Sequence, residues 1–133
     1  MRANVKKPRI LMVCRGIRGS RHREHATDLR KRGYIVEFVG DVNNPEDLLA
    51  SDWYEAIIIN REVGSLSRRK GDGYAFAREV REIYPALPII VIDRNLAKTH
   101  VYSEDTLMQI VWDEAGWITN ALAKIFHQEP SFA

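Results

Sequence analysis

The residues best placed for chemistry lie early in the chain. Cys14 closes an apolar run, and Arg15-Gly16-Ile17-Arg18-Gly19-Ser20-Arg21 follows it directly. A thiol at a strand end, glycines and the start of a helix together make an anion site. Backbone N–H groups point at the ligand, and neighbouring cations favour the thiolate. Arg18 and Arg21 are the anion contacts on that reading. The same cysteine reads more readily as a small buried strand residue. Arg18, Arg21, His22, Arg23 and His25 also form a basic cluster at the head of the first helix. Such a cluster suits phosphate, a nucleotide or a nucleic-acid backbone. Cations at a helix N-terminus oppose its dipole, however. No aromatic residue interleaves the cluster and no helix-turn-helix accompanies it, so a solvated or protein-docking face is the stronger reading. His22, His25, His100 and His127 have no ligand spacing with carboxylates or with Cys14. No metal site and no cofactor are read from them.

These groups need a scaffold, and the apolar runs supply it. Arg9-Ile10-Leu11-Met12-Val13-Cys14, Tyr34-Ile35-Val36-Glu37-Phe38-Val39, Ala56-Ile57-Ile58-Ile59 and Pro88-Ile89-Ile90-Val91-Ile92 read as strands. Continuous apolar runs of this length suit central strands covered on both faces. Residues 106–112 read as a fifth strand. Helical patterns lie between them. Residues 20–32 place Ala26 and Leu29 on one side and stop at Gly33. Residues 45–50 make a short helix with Asn44 as its cap. Residues 72–84 place Phe76, Val80 and Ile83 at helical spacing before Pro85. Residues 115–127 place Ile118, Leu122, Ile125 and Phe126 on one face. Residues 95–105 read as a short helix or a loop. Strand and helix alternate, which builds a doubly wound sheet with helices on both faces.

Composition sets the outer bounds. The chain has 133 residues, of which 45% are apolar, enough for one domain with a real core. The domain is expected over residues 1–127, with a fraying tail at 128–133. Net charge is only +2, but residues 15–32 carry seven Arg or Lys against two acids, and residues 41–55 carry five acids with no Lys or Arg. Solvated helix faces commonly show such polarity. The single cysteine precludes an internal disulfide and suits a reducing compartment. Residues 1–9 are basic without the apolar centre of a signal peptide, and no run approaches the roughly 18 apolar residues of a membrane span. A soluble, cytoplasmic protein without a membrane partner is expected.

The order of these pieces resembles the receiver domain of bacterial response regulators, and the resemblance covers nearly the whole chain. It is carried by Gly33-Tyr34-Ile35-Val36, by Trp53-Tyr54-Glu55-Ala56-Ile57-Ile58-Ile59-Asn60 and by Gly71-Asp72-Gly73. It continues in Ile83-Tyr84-Pro85-Ala86-Leu87-Pro88-Ile89-Ile90-Val91. Receivers have a similar apolar strand ending in Asp, a similar Met-Asp-Gly turn and a similar helix ending in Pro-x-x-Pro-Ile-Ile. The resemblance implies a flavodoxin-like sheet of five parallel strands in the order 2-1-3-4-5. Its site would lie at the carboxyl ends of the first, third and fourth strands.

A receiver accepts a phosphoryl group on an Asp that ends the third strand. Two acids after the first strand hold Mg²⁺ with it, and a hydroxyl and a Lys bind the phosphoryl oxygens. Phosphoryl transfer needs an anionic nucleophile surrounded by cations. At the corresponding positions this chain has Asn60 for the nucleophile, Cys14 and Arg15 for the acid pair, and Asp93 for the hydroxyl. No Lys occurs between Lys98 and Lys124. An amide is a poor nucleophile, and Cys14, Arg15 and Asn60 offer no carboxylate set for Mg²⁺. Arg15 is expected to take the metal's place and pair with Asp93, or else both face solvent.

The resemblance therefore implies a pseudo-receiver. It would be a non-enzymatic signal-transduction module of two-component type that works by protein contacts without phosphorylation. The expected partner is a kinase, an output domain or a second copy. In receivers the fourth helix, fifth strand and fifth helix form the output and dimer face. Trp112 and Trp117 belong to that face on this reading, one of them exposed and the other in the core. Two alternatives stand beside it. The Cys14 loop faintly resembles those of low-molecular-weight tyrosine phosphatases and sugar phosphotransferase IIB domains, which makes an enzyme or phosphocarrier one alternative. The phosphatase pattern places Arg six residues after the Cys, where this chain has Ser20, and no Asp-Pro acid loop is present. A nucleotide or nucleic-acid binder acting through the basic first helix is the other alternative and the weaker one.

Overall fold

The computed structural model describes residues 7–14, 20–40, 54–61, 73–93, 102–105 and 107–126. Strands β1 (Arg9–Cys14), β2 (Ile35–Gly40), β3 (Ala56–Asn60), β4 (Ile89–Asp93), β5 (Tyr102–Asp105) and β6 (Met108–Trp112) form one six-stranded sheet in the order β2-β1-β3-β4-β6-β5. Helices α1 (Ser20–Lys31), α2 (Gly73–Ile83) and α3 (Ala115–Phe126) cover it. Five strands run parallel. With β6 counted as the fifth of them, their order is the expected 2-1-3-4-5. This is the flavodoxin-like doubly wound architecture.

The central strands β3 and β4 are apolar up to their last residues because both faces are covered. Residues 56–59 of β3 and all of β4 are buried. Alternation sends Ile10, Met12, Ile58, Ile90, Ile92 and Val111 to one face, where they meet Ala26 and Leu29 of α1 and Ile118, Ala121 and Leu122 of α3. The intervening Leu11, Val13, Ile57, Ile59, Ile89 and Val91 meet Phe76, Ala77 and Val80 of α2. A one-residue slip in any strand would exchange the two layers.

The helix ends follow local rules. Gly33 has φ +100°, and its N–H donates to the Arg30 carbonyl while that of Tyr34 donates to the Leu29 carbonyl. That pair of bonds is the Schellman arrangement, which a residue without Cβ accommodates cheaply. Gly73 opens α2 for a different reason. A Cβ there would lie 2.5 Å from the Asn60 carbonyl oxygen and 2.6 Å from the Arg61 Cα. The Gly73 N–H donates to the Arg61 carbonyl at 2.7 Å. The helix therefore starts in direct contact with the end of β3.

The far side of the sheet differs from expectation. Residues 95–105 were expected to form a short helix or a loop, yet Tyr102–Asp105 is a strand. It runs antiparallel to β6, pairing Tyr102 with Ile110 and Ser103 with Gln109, with an irregularity between Ser103 and Asp105. A Tyr-Ser-Glu-Asp segment carries no apolar alternation. Backbone pairing along the β6 edge makes it a strand. The strand expected over 106–112 begins at Met108. The helix expected at 45–50 lies outside the described residues.

Candidate functional site

The sheet register brings the strand ends into a row. Val13 pairs with Ile59, Asn60 with Ile92, and Asp93 with Trp112. Cys14, Asn60, Asp93 and Trp112 thus share the carboxyl edge of the sheet, where doubly wound folds bind their ligands. Cys14 ends β1 beside Gly40 of β2. Arg15 and Arg18 lie outside the described residues, so the expected Arg15–Asp93 pair and the Arg18 contact do too. Arg21 stands in the first turn of α1. Asn60 is half-buried at the end of β3.

Asp93 is the most informative residue of the edge. It is 7% exposed, and a buried carboxylate is costly unless it is paired and hydrogen-bonded. The Tyr74 hydroxyl donates to its Oδ2 at 2.6 Å. Arg61 Nε stands 3.6 Å from the same oxygen, with the arginine side chain 37% exposed. Three elements meet there. Arg61 follows β3 and donates its backbone N–H to the Ile92 carbonyl at 2.9 Å, extending the β3–β4 ladder by one step. Tyr74 comes from the first turn of α2, which Gly73 seats against Asn60 and Arg61.

Neither Tyr74 nor Arg61 was singled out from sequence. A faint signal existed: an aromatic hydroxyl directly after the glycine that opens a helix over the sheet edge, and a cation directly after the central strand. What it lacked was the crossing of α2 over β3 and β4, which sets the reach of the hydroxyl.

A second polar pair joins the other layer. His25 Nε2 and Asp113 Oδ1 are 2.6 Å apart across 88 residues of sequence, with side-chain exposures of 5% and 6%. Nδ1 of His25 has no partner among the described residues. This corrects the basic cluster. His25 points into the core with Ala26 and Leu29, while Arg23, Arg30 and Lys31 remain outside. Helical geometry explains it, since residues 25, 26 and 29 share one face. Asp113 stands in the short turn between β6 and α3, so the pair ties α1 to that turn.

Trp112 and Trp117 are both half-buried, and Trp117 packs against the layer of α1 and α3. They flank the β6–α3 turn, but the expected division into one exposed and one core tryptophan is not found, since both are half-buried. The face named for partners is different in make-up, because β5 is a strand at its outer edge. No group of three or more His, Cys, Asp or Glu among the described residues is arranged to hold a metal ion. No described helix is long and apolar enough to cross a membrane.

A third cluster lies toward the amino ends of the strands. Tyr54 donates its hydroxyl to Glu37 at 2.6 Å, and Arg9 Nη2 lies 3.0 Å from the other Glu37 oxygen. The guanidinium also sits over the Tyr54 ring, 5.5 Å from its centroid. The Tyr54 hydrogen bond, aided by Arg9, holds the Glu37 carboxyl below its ordinary value against a smaller desolvation effect.

Solved structures share this architecture. A response regulator receiver protein from Sinorhizobium medicae superposes with a TM-score of 0.67 at 17% identity, covering 92% of this chain and 96% of that one. A receiver domain from Methylobacillus flagellatus gives 0.61 at 14% identity, covering 90% and 99%. A chain from a complex of a histidine kinase with a response regulator gives 0.61 at 20% identity, covering 90% and 98%. No protein-family model matches the chain, and no curated protein matches it closely enough to count as a relative. The fold is that of response-regulator receiver domains.

Proposed function

We propose that this chain is a phosphorylation-independent receiver-like module that transmits signals by binding another protein. One observation carries the reading. The β3-end position, where a receiver has its nucleophilic Asp, is Asn60, and the neighbouring β4-end carboxylate is already engaged by Tyr74 and Arg61. An amide cannot take a phosphoryl group under these conditions, and a buried carboxylate at Asp93 repels one. On this reading the module is not an enzyme and needs no Mg²⁺. A protein partner is supported by the similar chain solved with a histidine kinase. Trp112 and Trp117, beside the β6–α3 turn, are the aromatic anchors of the contact, since half-buried aromatics dominate interface energetics. A kinase, an output domain and a second copy all fit that chemistry. Light scattering across a concentration series separates the last from the other two.

The test is direct. The protein is incubated with acetyl phosphate and Mg²⁺, and the intact mass is read. In parallel, amide spectra are followed through Mg²⁺ and then beryllofluoride. No phosphoryl adduct and no shifts at Asn60 are expected. Asn60→Asp should also stay unlabelled, because Cys14 and Arg15 supply no second carboxylate for the metal. An adduct on the wild-type chain, or saturable Mg²⁺-dependent shifts around Asn60, would overturn the reading.

A further inference from the structure

We infer that Tyr74, Asp93 and Arg61 form an internal clasp that holds the carboxyl edge of the sheet in one conformation, so that this edge does not switch. The inference rests on the reading of the domain as receiver-like and phosphorylation-independent, and it names the regulatory state of that same site.

The geometry supports it at each joint. Asp93 closes β4 with its carboxylate almost wholly out of water. The Tyr74 hydroxyl at 2.6 Å fastens it to α2, and Arg61 at 3.6 Å fastens it to the end of β3. The backbone closes the same circuit. Arg61 N–H donates to Ile92 at 2.9 Å, and Gly73 N–H donates to Arg61 at 2.7 Å. Gly73 leaves no space even for a methyl group between α2 and the Asn60–Arg61 backbone. Any displacement of the β4 end relative to α2 must part a buried carboxylate from its hydroxyl donor. A lost hydrogen bond to a charged group disfavours the displaced state by about tenfold or more. A second state that also separates Arg61 from Asp93 is rarer again. A domain that switches by ligand needs its minor state populated at roughly 0.1–10%. The clasp takes the displaced state toward or below the bottom of that range.

Its members also explain why no external anion is needed. Oδ2 of Asp93 is met from within the protein by a neutral hydroxyl and a guanidinium. An arriving ligand would have to displace both to move β4.

The experiment is ¹⁵N relaxation dispersion on the amides of Asn60, Arg61, Ile92, Asp93 and Trp112, in the wild-type chain and in Tyr74→Phe and Arg61→Gln. The wild-type profile is expected to be flat. Tyr74→Phe removes the hydroxyl and keeps the ring, and it should introduce exchange at these amides with a minor state above about 1%. Arg61→Gln should do the same more weakly, because the arginine stands 3.6 Å away and is itself 37% exposed. Thermal unfolding of each variant reports that it is folded. Exchange at these amides in the wild-type chain would overturn the clasp, as would flat profiles in a folded Tyr74→Phe and a folded Arg61→Gln together. The acetyl phosphate assay separates the two ideas. A phosphoryl adduct sinks the functional reading, whereas wild-type exchange without an adduct sinks the clasp alone.

Discussion

The molecule brings a phenol, a guanidinium and a carboxylate together twice, at opposite ends of its sheet. At the carboxyl edge Tyr74 and Arg61 meet Asp93, and toward the amino end Tyr54 and Arg9 meet Glu37. Both tyrosine hydroxyls sit 2.6 Å from their carboxylates. The distances to the arginines favour the second cluster, 3.0 Å against 3.6 Å. Exposure favours the first: the Asp93 side chain is 8% exposed and that of Glu37 is 42% exposed. Similar chemistry therefore has unequal consequences. Water competes for every bond that Glu37 makes and screens its charge. Asp93 has little water to fall back on, so its protein partners are obligatory. Burial, more than bond length, decides which cluster can constrain the fold.

The sharpest test removes each carboxylate in turn. Asp93→Ala should lower stability by about 3 kcal/mol in urea unfolding, whereas Glu37→Ala should stay within about 1 kcal/mol. Equal losses would abolish the distinction. Gly73→Ala comes next. Its methyl group must push α2 off the end of β3, at a cost of about 2 kcal/mol, and should shift the Asn60 and Asp93 amides together. No comparable effect is expected at Gly116, where a Cβ meets nothing within 4 Å. Smaller still, Tyr74→Phe should lose about 1.5 kcal/mol and Tyr54→Phe about 0.5 kcal/mol, a ratio that reads burial with the chemistry held constant.

The smallest effect is one of pH. Glu37 titrates below its ordinary value in the folded protein because of Tyr54 and Arg9. Its contribution to stability is therefore fully present above the ordinary glutamate value. It is lost as pH falls through the lowered folded value. Tyr54→Phe should flatten that acid limb and leave the neutral range unchanged. A limb as steep as in the wild-type chain would show that Tyr54 is not the main cause.

Much of the architecture is legible in the amino-acid sequence. The runs at 56–59 and 88–92 suit central strands, because they are short, rich in Ile and Val, and apolar on both faces. Gly33 marked the end of α1 and Pro85 the end of α2 for local steric reasons. β5 was not legible, because Tyr102–Asp105 has no pattern of its own and is a strand only through its pairing with β6. His25 was misplaced for a related reason. Its charged neighbours suggested solvent, and the residue that holds it, Asp113, lies 88 positions away. At the site, the strand-end residues Cys14, Asn60 and Asp93 were legible as types. Their partners were not: Tyr74 and Arg61 enter only where α2 crosses the strand ends.

By itself, then, the sequence determined the alternation of strand and helix, the two apolar layers and which residue types end the strands. Those depend on residue type and local period. The tertiary structure alone decided which polar side chains are buried and what they hold: Asp93 with Tyr74 and Arg61, Asp113 with His25, and Glu37 left near water. A charged group's partner and its exposure depend on segments far apart in the chain, and only packing brings them within hydrogen-bonding distance.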